Sequence, residues 1–449
     1  MAQPPISRRH VAAAVVGNWL EFYDFTVYAY FAIPIGDAFF PGHSPFVTLM
    51  ASLITYGVGF VCRPLGAMVI GWYGDHAGRR PAMLLSFALM GLALVAFALI
   101  PPWSQIGVAA PALVVACRIV QGFALGGEVG PTTAYLIEAA PEGRRGFYGA
   151  WQSASQSLAS LSGGVIGVIL ANVLPAPTFH ALGWRIAFLI GALVLPFGFA
   201  MRRSLPETRY HPEPLLDVHP ETPADAGPMR ILLGQWRTIV LGVGLITGAT
   251  VATYVIIFMP TYAQATLHMG PKVAFWLPVV SGVAGLFASL AAGWLADRIG
   301  RRPLMIGSRL FFLIAAVPSF LLITRMRSAA VVLSLTAVLN IALNFGSVPS
   351  LVAVTEAMRK EVRAVAMATV YATAVSIFGG TTQAVVHWLD TATGSPVAIA
   401  WYATAATLIA LAASVLMPET AWPRRDDVRP VKPETSRQAC GPTAVTCGD

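Results

Sequence analysis

Glu21 and Asp24 stand three residues apart in a long, mostly apolar run, and on a helix they share about a third of the circumference with Asn18, Phe25 and Tyr28. A carboxyl held in apolar surroundings is costly and by default faces a cavity and serves function. Desolvation disfavours its charged form, so it can load and release a proton in the working range. The plainer alternative is that Glu21 or Asp24 pairs a buried arginine and locks two helices together. Arg118 lies in a later apolar run and shares its face with Gln121, Gly122 and Leu125. A guanidinium stays charged when buried and grips a carboxylate in two places. Arg118 can therefore bind a ligand carboxylate, hold a protein carboxyl until protonation releases it, or form a permanent bridge to Glu21 or Asp24. Arg63, just before Pro64, is a second buried cation. It suits a di- or trianionic ligand, or an ion pair with Glu128, which is itself a candidate proton carrier in a Gly126-Gly127 context.

Neutral polar groups complete the set. Gln152, Ser155 and Gln156 form one polar stripe, and Tyr254, Asn340, Asn344, Tyr371 and Ser376 lie further along. Amides and hydroxyls donate to a carboxylate without fixed charge, which suits a ligand that must leave again. The same groups serve as hydrogen bonds between helices, at about 1 kcal/mol each. The second part of the chain has almost no charge in mid-run, so the first is expected to handle protons and ligand charge while the second shapes the rest of a cavity. His387 and Asp390, at the end of a run, are expected to face water.

The elements that must position these groups are membrane spans. The chain is 56% hydrophobic and only 11% charged, against about 25% charged in a soluble domain. A span needs roughly 20 apolar residues. Twelve candidates appear, near 11–40, 47–74, 82–100, 107–139, 147–172, 184–201, 238–266, 272–296, 304–324, 329–356, 364–389 and 396–417. Two, 11–40 and 107–139, are long enough to tilt or kink. Alternation of the barrel type is absent, so the fold class is all-α. With both termini inside, 22 of the 29 Lys and Arg residues fall on inside segments, which fixes orientation by the positive-inside rule. The net charge of +8 is thereby a topology signal and not a nucleic-acid footprint.

The chain is also duplicated. Gly71-Trp72-Tyr73-Gly74-Asp75-His76-Ala77-Gly78-Arg79-Arg80-Pro81 returns as Gly293-Trp294-Leu295-Ala296-Asp297-Arg298-Ile299-Gly300-Arg301-Arg302-Pro303. Pro206-Glu207-Thr208 returns as Pro418-Glu419-Thr420, and Glu138-Ala139 as Glu356-Ala357. A unit of about 210–220 residues is too long for a solenoid and suits two parallel halves. The division is an inside N-terminus at 1–10, a six-span half at 11–202, an inside linker at 203–236, a six-span half at 237–420 and a disordered tail at 421–449. The doubled turn sits at the inside boundary. Asp75 and Asp297 can accept from a helix N-terminus, while Arg79, Arg80, Arg301 and Arg302 meet Glu138, Glu356 or lipid phosphate. Such contacts would form a latch that breaks when the halves rock; anchoring by lipid alone is the alternative.

A twelve-span chain with this doubled turn, Arg118-Ile119-Val120-Gln121-Gly122 in span four and the paired Pro-Glu-Thr marks resembles the major facilitator superfamily. Gly17-Asn18-Trp19-Leu20-Glu21-Phe22-Tyr23-Asp24-Phe25 resembles its metabolite:proton symporter branch, whose members carry citrate, 2-oxoglutarate, shikimate or betaines. Trp151-Gln152-Ser153-Ala154-Ser155-Gln156 is similar to the bacterial citrate and tricarballylate symporters. The resemblance implies a monomeric transporter in the bacterial inner membrane that moves a small organic acid anion with protons. It implies a proton-coupling role for Arg118, beside the candidates Glu21, Asp24 and Glu128 that the residues themselves offer. The ligand would be met by Asn18, Tyr28, Arg63, Arg118, Gln121, Gln152, Ser155, Gln156, Tyr254, Asn340, Asn344 and Tyr371.

Other classes find no support. There is no Walker-type phosphate loop, no His-Glu-x-x-His and no Gly-x-Ser-x-Gly, so neither ATP drive nor enzymatic hydrolysis is expected. No metal spacing accompanies the four cysteines and no cofactor is expected. A non-transporting sensor would need a signalling domain, and drug efflux an aromatic cavity with fewer buried cations.

Overall fold

A computed structural model describes residues 8–77, 79–126, 133, 136–137, 140–141, 143–203, 234–359, 362–395 and 397–421. Glu128, Glu138 and the side chains of Asp75, Arg79 and Arg80 lie outside the described set, as do the N-terminal seven residues, most of the linker and nearly all of the tail.

Every regular element among the described residues is helical, and the helices fall into twelve runs. The first is Arg8–Tyr30 continued by Ala32–Phe39, and the second Pro45–Val61 continued by Arg63–Ala77. Then come Arg79–Leu99, Ala109–Leu125, Arg145–Val173 and Trp184–Arg203. The second half runs Trp236–Ala265, Trp276–Ile299, Arg301–Met326, Ala329–Ala357, Arg363–Thr393 and Val397–Leu416. Among the described residues eight helices are long and apolar enough to cross a bilayer, and Leu84–Leu99 and Ala109–Leu125 are shorter apolar helices. Without water in the bilayer core each backbone group must bond within its own helix. Large apolar side chains such as Met68, Leu193 and Ile314 are exposed on the outside, which suits lipid.

The long first run bends at Phe31, where a turn joins its two helices while Phe31 and Ile35 keep their backbone bonds to Val27 and Phe31. The second run breaks at Cys62, because Pro64 has no N–H to continue the ladder. The eleventh run carries a π-helical turn at Val375–Gly379.

Spans five and eight make the most extensive helix contact across the two halves. Small residues allow it: a Cβ on Gly146 would come 2.6 Å from the Gly293 carbonyl oxygen, and one on Gly282 2.6 Å from the Leu161 nitrogen. Spans two and eleven pinch at Gly57 and Gly380, where a Cβ on Gly380 would lie 2.9 Å from the Gly57 oxygen.

Candidate functional site

The first half buries an ion pair. Arg118 and Asp24 are both 0% exposed, with Arg118 Nη1 donating to Asp24 Oδ2 at 3.3 Å. Gln121 Nε2 donates to the other carboxylate oxygen at 3.4 Å. The Arg118 guanidinium lies 3.9 Å from the ring centre of Tyr28 and 5.1 Å from that of Phe97. Its Nε and Nη2 have no hydrogen-bond partner among the described residues. One carboxylate thus carries the guanidinium in an aromatic box, and of the two bridges open in the sequence the one to Asp24 forms. Glu21 is buried three residues away on the same helix.

Among the described residues Arg63 has no such partner, and Glu128, the acid the sequence offers it, lies outside them. Arg63 is 4% exposed, and none of its three guanidinium nitrogens makes a hydrogen bond to a described residue. The rings of Phe60 and Phe25 lie 4.2 and 4.6 Å from its central carbon.

Between the halves lies a cavity of about 120 Å³. Gln152, Gln156, Tyr254, Asn340, Asn344 and Tyr371 all line it. Asn18, Tyr28, Arg63, Arg118, Gln121 and Ser155 do not. Tyr28 instead donates to the Ser52 carbonyl at 3.1 Å. Asn18 and Ser155 are tied to Gln152: Asn18 Nδ2 donates to Ser155 Oγ at 2.6 Å and Gln152 Nε2 to Asn18 Oδ1 at 2.9 Å. This triplet is the bond between spans one and five that the plainer reading allowed. Among the described residues the wall carries no charged side chain. Hydroxyls missed in the sequence add to it, above all Ser153, Ser157 and Ser160 of span five. Their i, i+4, i+7 spacing was the available signal, since it places them on one helix face. Asn344 bonds Asn340 and accepts from Ser289 at 2.8 Å, so the second-half wall is cross-braced.

At the end that carries the doubled turn, the second copy makes a cross-half contact. Asp297 accepts from the backbone N–H groups of Gly146 and Phe147, at 2.7 and 2.9 Å. These are free donors in the first turn of span five, where the helix dipole favours an anion. Arg301 Nη2 bridges Asp297 and Glu356, at 3.0 and 3.2 Å. Glu419 accepts from the N–H groups of Arg301 and Arg302 at 2.9 Å each, and Thr420 donates to Glu356 at 2.8 Å. Gly300 makes the turn with φ +99°. A side chain there would be strained by the backbone and would meet the Glu419 carboxylate. The Pro-Glu-Thr mark thereby gains a physical reason: its acid caps the ninth span. Burial holds the Glu419 carboxyl back from ionising, but bonds from Ala421, Arg301 and Arg302 outweigh it and the carboxyl sits below its ordinary value.

At the opposite end the expectation for His387 fails. It is 7% exposed, with its ring 5.0 Å from that of Phe46 across the interface. Packing between spans two and eleven covers it. Asp390, the next turn along, is only partly exposed and accepts from Thr266 at 2.5 Å. Phe31 and Phe275 also meet across the halves at this end, ring centres 4.7 Å apart.

Comparison with known proteins bears on this arrangement. The family model described as Major Facilitator Superfamily matches residues 15–382. The chain is 35% identical over 427 residues to a citrate-proton symporter of Salmonella typhi, covering 93% of this chain and 96% of that one. It is 32% identical to a citrate-proton symporter of Klebsiella pneumoniae, with 89% of each covered. Among solved structures, the xylose transporter XylE from E. coli, in a partially occluded inward open conformation, superposes with a TM-score of 0.71 at 16% identity. That match covers 91% of this chain and 97% of XylE, and it speaks to the fold alone.

Proposed function

The chain belongs to the major facilitator superfamily, and from that membership we propose that it is a proton-coupled symporter importing a tricarboxylate, citrate, tricarballylate or a close relative, by alternating access. It is a multi-pass membrane transporter and not an enzyme. The observation that carries the coupling is the buried Arg118–Asp24 pair. A proton arriving on Asp24 cancels the attraction that holds the pair, so loading changes the contacts between spans one and four. The anion then binds in the neutral cavity between the halves, against Gln152, Gln156, Tyr254, Asn340, Asn344 and Tyr371. Rocking breaks the Asp297 contacts and opens the turn end. Glu21 and Glu128 are further proton candidates of the first half. Asp75, Arg79, Arg80 and Glu138 are assigned the same latch role in the first copy.

Charge arithmetic supports the coupling. An inside-negative potential opposes anion entry by about 2.3 kcal/mol per charge per 100 mV, so protons must at least cancel the substrate charge. The turn end faces the cytoplasm of a bacterial inner membrane, with both termini and the linker on that side, and the working unit is a monomer in lipid.

The test is uptake of labelled citrate into proteoliposomes under an imposed pH gradient. Uptake that ignores a protonophore would remove the coupling. The uncharged cavity wall favours a second reading, in which the same machinery carries a zwitterion such as a betaine. Strong betaine uptake with no citrate uptake would select it.

A further inference from the structure

We propose that Arg63 is the counter-charge for one substrate carboxylate, parked against Phe25 and Phe60 while the site is empty. This rests on the polyanion reading above.

Three observations lead there. The first is an imbalance. Among the described residues Arg118 has Asp24, but the Arg63 guanidinium has two rings and no hydrogen-bond acceptor. A cation over an aromatic face is weakly held next to a charge-assisted hydrogen bond, and a buried charge without an anion is the more costly state. The second is position. The Phe60 ring that Arg63 covers meets Tyr254 edge-on at 5.4 Å, and Tyr254 lines the cavity. Arg63 is therefore one ring behind the cavity wall. That ring packs beside Gly379 at the end of the π turn of span eleven, where a Cβ would come 2.9 Å from Tyr254 and 3.1 Å from Phe60. π turns recur where a helix serves a functional site. The third is need. Among the described residues the cavity wall carries no charge and Arg118 does not line it, so a tricarboxylate requires another cation within reach. A guanidinium on a flexible stem reaches around one ring edge more readily than a helix moves, and its planar fork fits a carboxylate in two places. Arg63 would then set the preference for polycarboxylates.

The test compares wild type with Arg63→Gln, reading ligand affinity from the rise in thermal unfolding temperature. The ligands are tricarballylate and two analogues that each lack one of its carboxyls, glutarate (the central one) and methylsuccinate (a terminal one). The glutamine variant should bind tricarballylate about 10–100-fold more weakly, as expected for a lost hydrogen bond between charges. One of the two analogues, the one without the carboxylate that Arg63 holds, should bind both proteins alike. Unchanged tricarballylate binding, or equal losses for all three ligands, would overturn the assignment. Arg63→Lys covers the case in which the glutamine variant fails to fold. A lysine serves the aromatic cage but not a two-point grip, so wild-type thermal stability with tricarballylate bound at least fivefold more weakly is expected; unchanged affinity refutes the role. A wild type that binds 2-oxoglutarate but no tricarboxylate would correct the substrate class alone, and Arg63 would stand or fall on a tenfold loss for 2-oxoglutarate. A wild type that binds no polycarboxylate overturns both.

Discussion

Among the buried arginines, Arg118 and Arg309 are satisfied in opposite ways. Arg118 in the first half meets Asp24, a group that can lose its charge. Arg309 in the second half is 5% exposed and donates to the hydroxyls of Ser350 and Ser414, at 2.7 and 2.5 Å, with no carboxylate bonded to it. A hydroxyl cannot be neutralised, so the contacts of Arg309 are the same at every working pH. The first pair can switch; the second set is a brace joining spans nine, ten and twelve. The coupling proposed above therefore lies in the first half, while Arg309 offers the second a fixed brace.

The largest expected effect breaks this contrast at its active end. Arg118→Ala should abolish uptake while the protein still inserts and folds, because Asp24 left without its partner can take a proton and become neutral. Near-normal uptake would refute the assigned role. Asp24→Asn should lose accumulation against a gradient by about 100-fold, the lower range for removing a proton-transfer group, yet keep exchange of internal for external substrate. Loss of exchange as well would mean that Asp24 serves more than the proton.

The opposite outcome is expected at Arg309→Met. Ser350 and Ser414 already donate to the carbonyls of Gly346 and Ala410, so losing Arg309 leaves neither hydroxyl without a partner. Replacing a buried charge by an apolar side chain of similar length is often neutral or stabilising by about 1–4 kcal/mol. The variant should keep its ratio of uptake with and without a pH gradient within about twofold, a change near the thermal energy. A collapse of that ratio would place coupling in both halves.

Asp297→Ala gives an intermediate effect. It uncaps span five and removes one arm of the Arg301 bridge, costing about 1–2 kcal/mol. Labelling of a cysteine placed at Ser157, in the cavity wall, should then speed up from the turn side by about tenfold, the same energy read as a population. Unchanged labelling would leave the bonds as local capping without a latch function.

Much of the fold was legible because the bilayer permits few answers. Twelve apolar runs, a doubled turn and glycines at helix crossings follow from backbone satisfaction and close packing. The site was legible by residue type and less so by direction. Arg118 and Asp24 advertise themselves as charges in apolar runs. Whether Gln152 faces a cavity or Asn18 depends on a rotation that period alone does not fix, and it does both. His387 misled because a position near a helix end reads as exposed, while Phe46 of the other half covers it. Ser153, Ser157 and Ser160 give little signal, since single hydroxyls in an apolar helix usually bond their own backbone, as Ser157 does to the Ser153 carbonyl at 3.1 Å.

The smallest effect separates the brace from the switch by pH. Glu419 caps the ninth span with two backbone hydrogen bonds and accepts a third from Ala421, and these hold its carboxyl below the ordinary value of 4.5. A carboxyl that ionises more easily in the folded state stabilises that state above its unfolded value, and the contribution disappears as pH falls through the folded value. Wild type should therefore exceed Glu419→Gln in thermal stability at neutral pH, and the two should converge as the pH falls through the lowered folded value. Glu419 is exposed to solvent, so screening keeps the difference near 1 kcal/mol, or about 2 °C. Uptake at neutral pH should be the same in both, because the cap belongs to the scaffold that the two halves share. A glutamine variant that loses its pH-driven uptake would instead make Glu419 part of the coupling and extend the titrating chemistry to the second half.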